Sequence, residues 1–251
     1  MNHTTLLKWT LTPTILLAVI CIVNLGLTTL YWIVGDWIVP RGVEVHDSIK
    51  PAEGLEALLT VKVTIIEYLP PATDSTLVSA ALGLFTAVVC GLAWYKLRRV
   101  DMDEESNMPR RRFWLAFPLI SLLSTSGAAL GSLILHYTQK DSAPYGCRSE
   151  MQSNGDRIMY CTREMGACNV LPDFKRLFRK YGQQLRKEEW VGSLCMQTQA
   201  VKWMQLGLVL ACVGTAALLC AQGLVRGRTR YERVRNMEKG KGRVEEDGLG
   251  A

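Results

Sequence analysis

Four long apolar stretches alternate with polar segments along the chain. They cover residues 11–34, 76–95, 113–136 and 203–225, and none of them contains Asp, Glu, Lys or Arg. The hydrocarbon core of a bilayer is about 30 Å thick, so a spanning helix needs about 20 mostly apolar residues. The alternative is a soluble protein with four long buried helices, but such helices rarely lack a charge over this length. The pattern therefore predicts an all-α membrane protein with a bundle of four transmembrane helices.

A signal peptide is the alternative interpretation of the first apolar stretch. It is longer than the core of a signal peptide, which usually has about 7–15 residues and ends in small residues. Leu30-Tyr31-Trp32 stands where those small residues would be needed. We therefore expect a retained transmembrane helix.

The polar segments define the layout of the predicted bundle. Residues 1–10 precede the first span, 96–112 form a basic turn, and 226–251 form a basic tail. Two larger segments remain, outer loop 1 at 35–75 and outer loop 2 at 137–202. In outer loop 1, Val61-Lys-Val-Thr-Ile-Ile-Glu-Tyr68 is β-prone and partly alternates between apolar and polar residues. A single strand is marginally stable, so we expect this one to pack against outer loop 2.

Positive charge is distributed unevenly between these segments. The middle turn has six basic residues and the tail eight, whereas outer loop 1 has three. Basic residues near helix ends stay in the cytosol, although the rule loses force for loops of about 60 residues such as outer loop 2. We therefore expect cytosolic termini and two outer loops, in the plasma membrane or a membrane of the secretory pathway. This distribution accounts for the net charge of +6 without a nucleic-acid partner.

The tail is also a candidate lipid-binding segment. Basic residues next to a span attract anionic lipids of the cytosolic leaflet. The residues expected to bind these lipids are Arg226, Arg228, Arg230, Arg233 and Arg235.

Four of the eight cysteines lie in outer loop 2, at positions 147, 161, 168 and 195. Cysteines that share a polar loop indicate disulfide bonds and an oxidising compartment. Of the three connectivities, we favour Cys161–Cys168, which closes a short loop, with Cys147–Cys195, which joins the two ends of the loop. A zinc site is the alternative, but the closely spaced cysteine pairs of structural zinc sites are missing. The prediction is a small disulfide-bonded extracellular domain without a metal.

Small residues recur along three of the four apolar stretches. Small residues four positions apart let helix backbones approach closely, which favours a tight bundle. The alternative is an outward-facing groove that supports homo-oligomers. The residues predicted to pack helices are Ser79, Gly83, Ala87, Gly91, Gly127, Gly131, Gly207 and Ala211.

No catalytic or cofactor-binding pattern is present among the three histidines and the acidic residues. His136 ends the third apolar stretch, where an interfacial polar residue is expected. The first hypothesis is therefore a non-enzymatic scaffold or interaction protein, whose outer loop 2 binds protein partners. Residues 172–190 of that loop form a basic amphipathic pattern, which suits a membrane surface, packing against the loop or a partner. The second hypothesis is a transporter or channel subunit that uses Asn24, Gln205 and Gln222. We expect Asn24 to bond to a neighbouring helix.

Two resemblances follow from these features. The layout of four spans with a cysteine-bearing loop between the last two is similar to that of tetraspanins, but the Cys-Cys-Gly motif of that family is missing. The segments Thr162-Arg-Glu-Met-Gly-Ala-Cys168 and Leu194-Cys195-Met-Gln-Thr-Gln-Ala-Val-Lys-Trp203 resemble uncharacterised four-span proteins of filamentous fungi. The second resemblance covers about the last third of the chain. It implies a fold and a membrane location, but no activity.

Overall fold

The computed structural model describes residues 3–38, 42–48, 59–99, 107–140, 142, 144–153, 156–173 and 189–248. Four long helices dominate these residues: α1 His3–Ile33, α2 Pro71–Leu97, α3 Met108–Thr138 and α5 Glu189–Gly248. A single helical turn, α4 Arg163–Met165, lies between α3 and α5 in the sequence. A π-helical turn, Val34–Ile38, continues α1. Each long helix contains a segment long and apolar enough to cross a membrane: Leu7–Trp37, Pro71–Leu97, Met108–Thr138 and Gly192–Arg226. The prediction of four spans is confirmed, and each helix extends beyond its apolar stretch into polar sequence.

Apolar and polar side chains are distributed along these helices as lipid requires. Large apolar side chains such as Leu123 and Leu224 are exposed, whereas Asn24, Gln205 and Gln222 are buried. Polar groups in a membrane helix need partners inside the protein, since lipid offers none. The distribution therefore fits a protein that spans a membrane.

A four-stranded sheet joins the two large loops. Its strands are β1 Gly42–Ser48, β2 Leu59–Tyr68, β3 Arg148–Met151 and β4 Arg157–Cys161, in the order β1-β2-β4-β3. β1 pairs antiparallel with β2, β2 parallel with β4, and β3 antiparallel with β4. The strand predicted at 61–68 lies in β2, and its expected packing against the larger loop is confirmed by the pairing with β4. Because one sheet contains strands from both loops, the loops lie at the same end of the helices.

The sheet has one buried and one exposed face, as the two-residue period of a strand requires. Ile66, Tyr68, Met159 and Cys161 point into an apolar core. Tyr31 near the end of α1 and Val34 in the π-helical turn complete that core, together with residues of α5 such as Leu194 and Val201. We refer to the strands with residues 144–173 as the loop domain.

The disulfide pairing differs from the predicted one. All four loop cysteines are disulfide-bonded, but the bonds are Cys147–Cys161 and Cys168–Cys195, with Cα–Cα distances of 4.7 and 4.8 Å. The predicted pairs Cys161–Cys168 and Cys147–Cys195 are wrong. The reason is the β3–β4 hairpin, whose register pairs Arg148 with Tyr160 and so brings the adjacent Cys147 and Cys161 together.

The chain forms two compact units. One contains Ile20–Leu82 and Ser126–Val209, and so includes the sheet and both disulfides. The other contains Met1–Val19, Gly83–Thr125 and Leu210–Ala251. Within the second unit, the Thr86 hydroxyl lies 2.7 Å from that of Thr125, and the Trp94 indole donates to the Leu7 carbonyl at 2.9 Å. These bonds link α1, α2 and α3 inside that unit.

Candidate functional site

A single helical turn of the loop domain holds two buried charges of opposite sign. This turn, α4, spans Arg163–Met165 and follows directly after β4. Thr162 caps it, since the Thr162 hydroxyl accepts a hydrogen bond from the Met165 amide at 3.3 Å. Arg163 is 8% exposed and Glu164 5%. Charges buried to this extent are strongly destabilising unless they are paired, so their partners determine what the turn does.

Arg163 points towards the helix ends of α1 and α2. Its Nη2 donates to Asp36 Oδ2 at 2.9 Å, in the π-helical turn after α1. Its Nη1 donates to Thr73 Oγ1 at 2.7 Å, in the first turn of α2. The guanidinium carbon lies 5.5 Å from the centre of the Tyr68 ring, within the range of a cation–π contact. Trp32 also donates to Asp36 Oδ2, at 2.8 Å, which holds that carboxylate in place.

Glu164 points towards α3 and α5. Its Oε1 accepts a hydrogen bond from the Lys202 ammonium on α5. Its Oε2 lies 4.0 Å from Nδ1 of His136 on α3. The Lys202 ammonium also lies 5.5 Å from the centre of the Tyr137 ring. Each of the four long helices, with the turn that continues α1, therefore provides one partner to this dipeptide.

We call Asp36, His136, Arg163, Glu164 and Lys202 the buried charge cluster. Two carboxylates face two cations in it, so the four charges balance. Burial of both ions of a pair is tolerated when the geometry is good and further hydrogen bonds satisfy the remaining atoms. The cluster attaches the loop domain to the helices at a defined position.

A chain of polar contacts leads from the cluster into the helices. His136 Nε2 lies 3.4 Å from Thr76 Oγ1. The Thr76 hydroxyl donates to the Ala72 carbonyl at 2.8 Å and lies 2.9 Å from the Ser132 hydroxyl. A hydroxyl has one hydrogen, so the Thr76 hydroxyl, which donates to Ala72, accepts from Ser132 and from an Nε2–H of His136.

The three amides predicted for a transport path are all buried. Ser79 of α2 donates to Gln205 Oε1 of α5 at 2.8 Å, which links two helices. Asn24 differs from the prediction, because its Oδ1 accepts from Thr28, one turn further along its own helix, at 3.4 Å. Gln222 lies in the other unit.

The small residues predicted to pack helices divide into two groups. Ser79, Gly83, Ala87 and Ala211 are buried, and a Cβ on Gly207 would meet Ile20 Cδ1 at 3.8 Å. A Cβ on Gly91, Gly127 or Gly131 would meet nothing within 4 Å. The structure shows no close helix contact at these three glycines, of which Gly91 lies on α2 and Gly127 and Gly131 on α3. On α3, the exposed Gly127 lies on the side opposite the buried Ala129. The buried residues of α3 include Thr125, Ala129 and Ser132.

The basic tail continues α5 as a helix to Gly248. Arg226, predicted to bind lipid, is buried at 7% exposure. Arg228, Arg230, Arg233 and Arg235 lie on this helix, but their side chains fall outside the described part of the chain. Most of the amphipathic segment at 172–190 likewise lies outside the described residues.

Sequence reasoning missed the buried charge cluster. Its members are single residues at the ends of apolar stretches or inside the cysteine loop. The available signal was the position of Asp36 and Lys202, which lie close to a span and carry opposite charges. Such residues can pair with Arg163 and Glu164, which are neighbours in the sequence and lie between Cys161 and Cys168.

Among the described residues, no group of three or more His, Cys, Asp or Glu side chains could hold a metal ion. Comparison of the chain with protein-family models, curated proteins and solved structures finds no match in any of the three. The function is therefore inferred from the site itself.

Proposed function

We propose that this multi-pass membrane protein is a non-enzymatic interaction protein, which presents the loop domain to protein partners outside the cytosol. The observation that carries the proposal is the attachment of α4, where Arg163 and Glu164 bond to residues from three of the four helical segments and Glu164 lies 4.0 Å from His136 of the fourth. A rigidly held surface loses less conformational entropy on binding than a mobile one, which favours affinity. The two disulfides add to this rigidity.

The exposed side of the sheet is the surface we assign to partners. Ile65 pairs with Ile158, and Glu67 with Tyr160, on the face opposite the core. Beside them lies a groove of about 590 Å³, lined by the residue after β2, by the end of α3 and the residues that follow it, and by β3 and β4. Aromatic and arginine side chains are enriched in interfaces. The groove residues are Leu69, Thr138, Gln139, Lys140, Ser142, Arg148, Glu150 and Tyr160.

A matched pair of variants tests this surface. Tyr160→Arg changes the groove, whereas Ser153→Arg adds the same charge at an exposed residue outside the groove. We expect a protein that co-purifies with the intact chain to be recovered at least tenfold less with Tyr160→Arg and equally with Ser153→Arg. Equal recovery with both variants, or no co-purifying protein at all, would contradict the proposal.

The proposed orientation places both termini in the cytosol. It is supported by the basic middle turn and tail, and by the shared sheet, which puts both large loops on one side. A glycosylation tag near Ser142 should be modified and one after Ala251 should not. Modification of the C-terminal tag would show that the orientation is the reverse of the proposed one. The proposed contact of the tail with anionic lipids depends on the same orientation.

Transport is the second candidate function, and the polar contacts inside the helices favour it. His136, Thr76 and Ser132 form a connected set next to Glu164 and Lys202, and Ser79 joins Gln205 further along α2. Polar and ionisable groups that face a bundle interior can mark ion or substrate paths. Ion or solute flux into vesicles, lost in a folded Gln205→Leu variant, would support this function.

A further inference from the structure

The two disulfides differ in how deeply the protein buries them. Cys147 and Cys161 are each 1% exposed and belong to the apolar core of the loop domain. Cys168 and Cys195 are half-buried. Thiol–disulfide exchange requires a thiolate to reach one of the two sulfurs, so its rate depends on access. The difference in burial predicts that a small thiol reaches the second bond and not the first.

The surroundings of the accessible bond also distinguish its two sulfurs. The Gln199 side-chain amide donates to Cys168 Sγ at 3.7 Å. During exchange, the sulfur that leaves gains negative charge, and a hydrogen-bond donor favours the charged form. Cys168 is therefore the better leaving group, and Cys195 is the sulfur that is attacked.

The Cys168–Cys195 bond and the Glu164–Lys202 ion pair of the buried charge cluster connect the same two elements. Cys168 lies four residues after Glu164, and Cys195 lies seven residues before Lys202 on α5. The disulfide and the Glu164–Lys202 pair therefore join the α4 region to α5 at neighbouring points. Opening the disulfide removes one of these attachments, while the ion pair and the buried bond Cys147–Cys161 remain.

We propose that Cys168–Cys195 is a thiol–disulfide exchange site, which a small thiol opens while Cys147–Cys161 stays closed. The thiolate attacks Cys195 Sγ, the bond to Cys168 breaks, and a mixed disulfide forms on Cys195. Cys168 leaves as a thiolate and takes up the proton that the attacking thiol released. A second thiol molecule then displaces Cys195 from the mixed disulfide, so that two thiols are oxidised for each bond reduced.

The test uses the full-length protein in detergent with 2-mercaptoethanol as the probe. Samples are quenched with iodoacetamide at intervals, and the cysteine peptides are mapped by mass spectrometry without reduction. We expect Cys168–Cys195 to open at least tenfold faster than Cys147–Cys161. Early samples should contain alkylated Cys168 and the mixed disulfide on Cys195. Equal opening rates of the two bonds would overturn the proposal.

Gln199→Leu is the matched variant that tests which of the two sulfurs the thiolate attacks. Gln199 is exposed, so this change should leave the fold intact. The mixed disulfide should then be distributed about equally between Cys168 and Cys195. A mixed disulfide mainly on Cys168 in the original protein, or an unchanged preference in the variant, would overturn the assignment of Cys195 as the attacked sulfur.

Discussion

Glu164→Gln tests whether the buried charge cluster holds the loop domain on the helices. The change keeps the size of the side chain and removes its charge. Lys202 then remains with a side chain only 14% exposed and without the carboxylate that pairs with it. The substitution also removes the carboxylate that lies 4.0 Å from Nδ1 of His136.

The expected loss of stability follows from the burial of this pair. Removing one partner of a buried ion pair costs about 3–5 kcal/mol, because the other charge stays buried without compensation. Since the Lys202 side chain is partly accessible to water, we expect the lower end, about 3 kcal/mol. Arg148–Glu150 is the control pair, with side chains 71% and 50% exposed. Exposed pairs contribute about 0–1 kcal/mol, so Glu150→Gln should change stability little.

A double variant separates pairing from other effects of the substitution. Lys202→Met removes the second charge, and together with Glu164→Gln it leaves no uncompensated ion in the pair. Replacing both partners of a buried pair is often neutral. The double variant should therefore be more stable than either single variant.

The measurement is the free energy of unfolding in mixed micelles, determined for the full-length original protein and for the four variants. Losses that simply add in the double variant would show that the two residues act independently. A Glu164→Gln chain as stable as the Glu150→Gln control would refute the role of the cluster.

Three further predictions concern packing and the membrane surface. A Cβ on Gly166 would lie 2.7 Å from Cε1 of the buried Tyr68 ring, so Gly166→Ala should lower thermal stability by about 1–3 kcal/mol, the range for overpacking; unchanged melting would contradict this. Gly83→Leu should destabilise the buried side of α2 by about the same amount, whereas Gly127→Leu, on an exposed side, should not; equal effects would mean that the two positions are equivalent. A peptide of residues 226–243 should bind anionic vesicles with about 1 kcal/mol per basic residue, and salt should weaken the binding; equal binding to neutral vesicles would exclude an electrostatic cause.

The membrane helices could be predicted because the absence of charge over a long stretch is a local property of the sequence. The buried charge cluster could not, because its contacts join distant residues. Asp36 and Arg163, for example, are 127 positions apart. The contact side of α3 was also ambiguous, since small residues occur on two sides of that helix. Only the arrangement of neighbouring helices decides that Ala129 faces inward and Gly127 outward.

A signal in the sequence favours the observed disulfide pairing over the pairing predicted from loop closure. Asn154-Gly155 precedes the apolar run Ile158-Met-Tyr160, and this dipeptide favours the tight turn of a β-hairpin. A hairpin centred there brings the residues before its first strand next to the end of its second strand. Those residues include Cys147 and Cys161, which the structure joins.

Apolar side chains could also pack α4 against the helices. The order of its two charges suggests why ions occupy these positions instead. Adjacent residues of a helical turn point about 100° apart, so Arg163 and Glu164 face different pairs of helices. Exchanging them in a chain with Arg163→Glu and Glu164→Arg keeps the composition but places a carboxylate against Asp36 and a guanidinium against Lys202. Apolar packing alone would not distinguish the two orders, whereas buried charges do. Our hypothesis is that the cluster specifies how the loop domain docks, and the exchanged chain should be less stable than Glu164→Gln, because two like-charge contacts replace one unpaired ion. Equal stability of the exchanged and original chains would leave the order of the charges without a role.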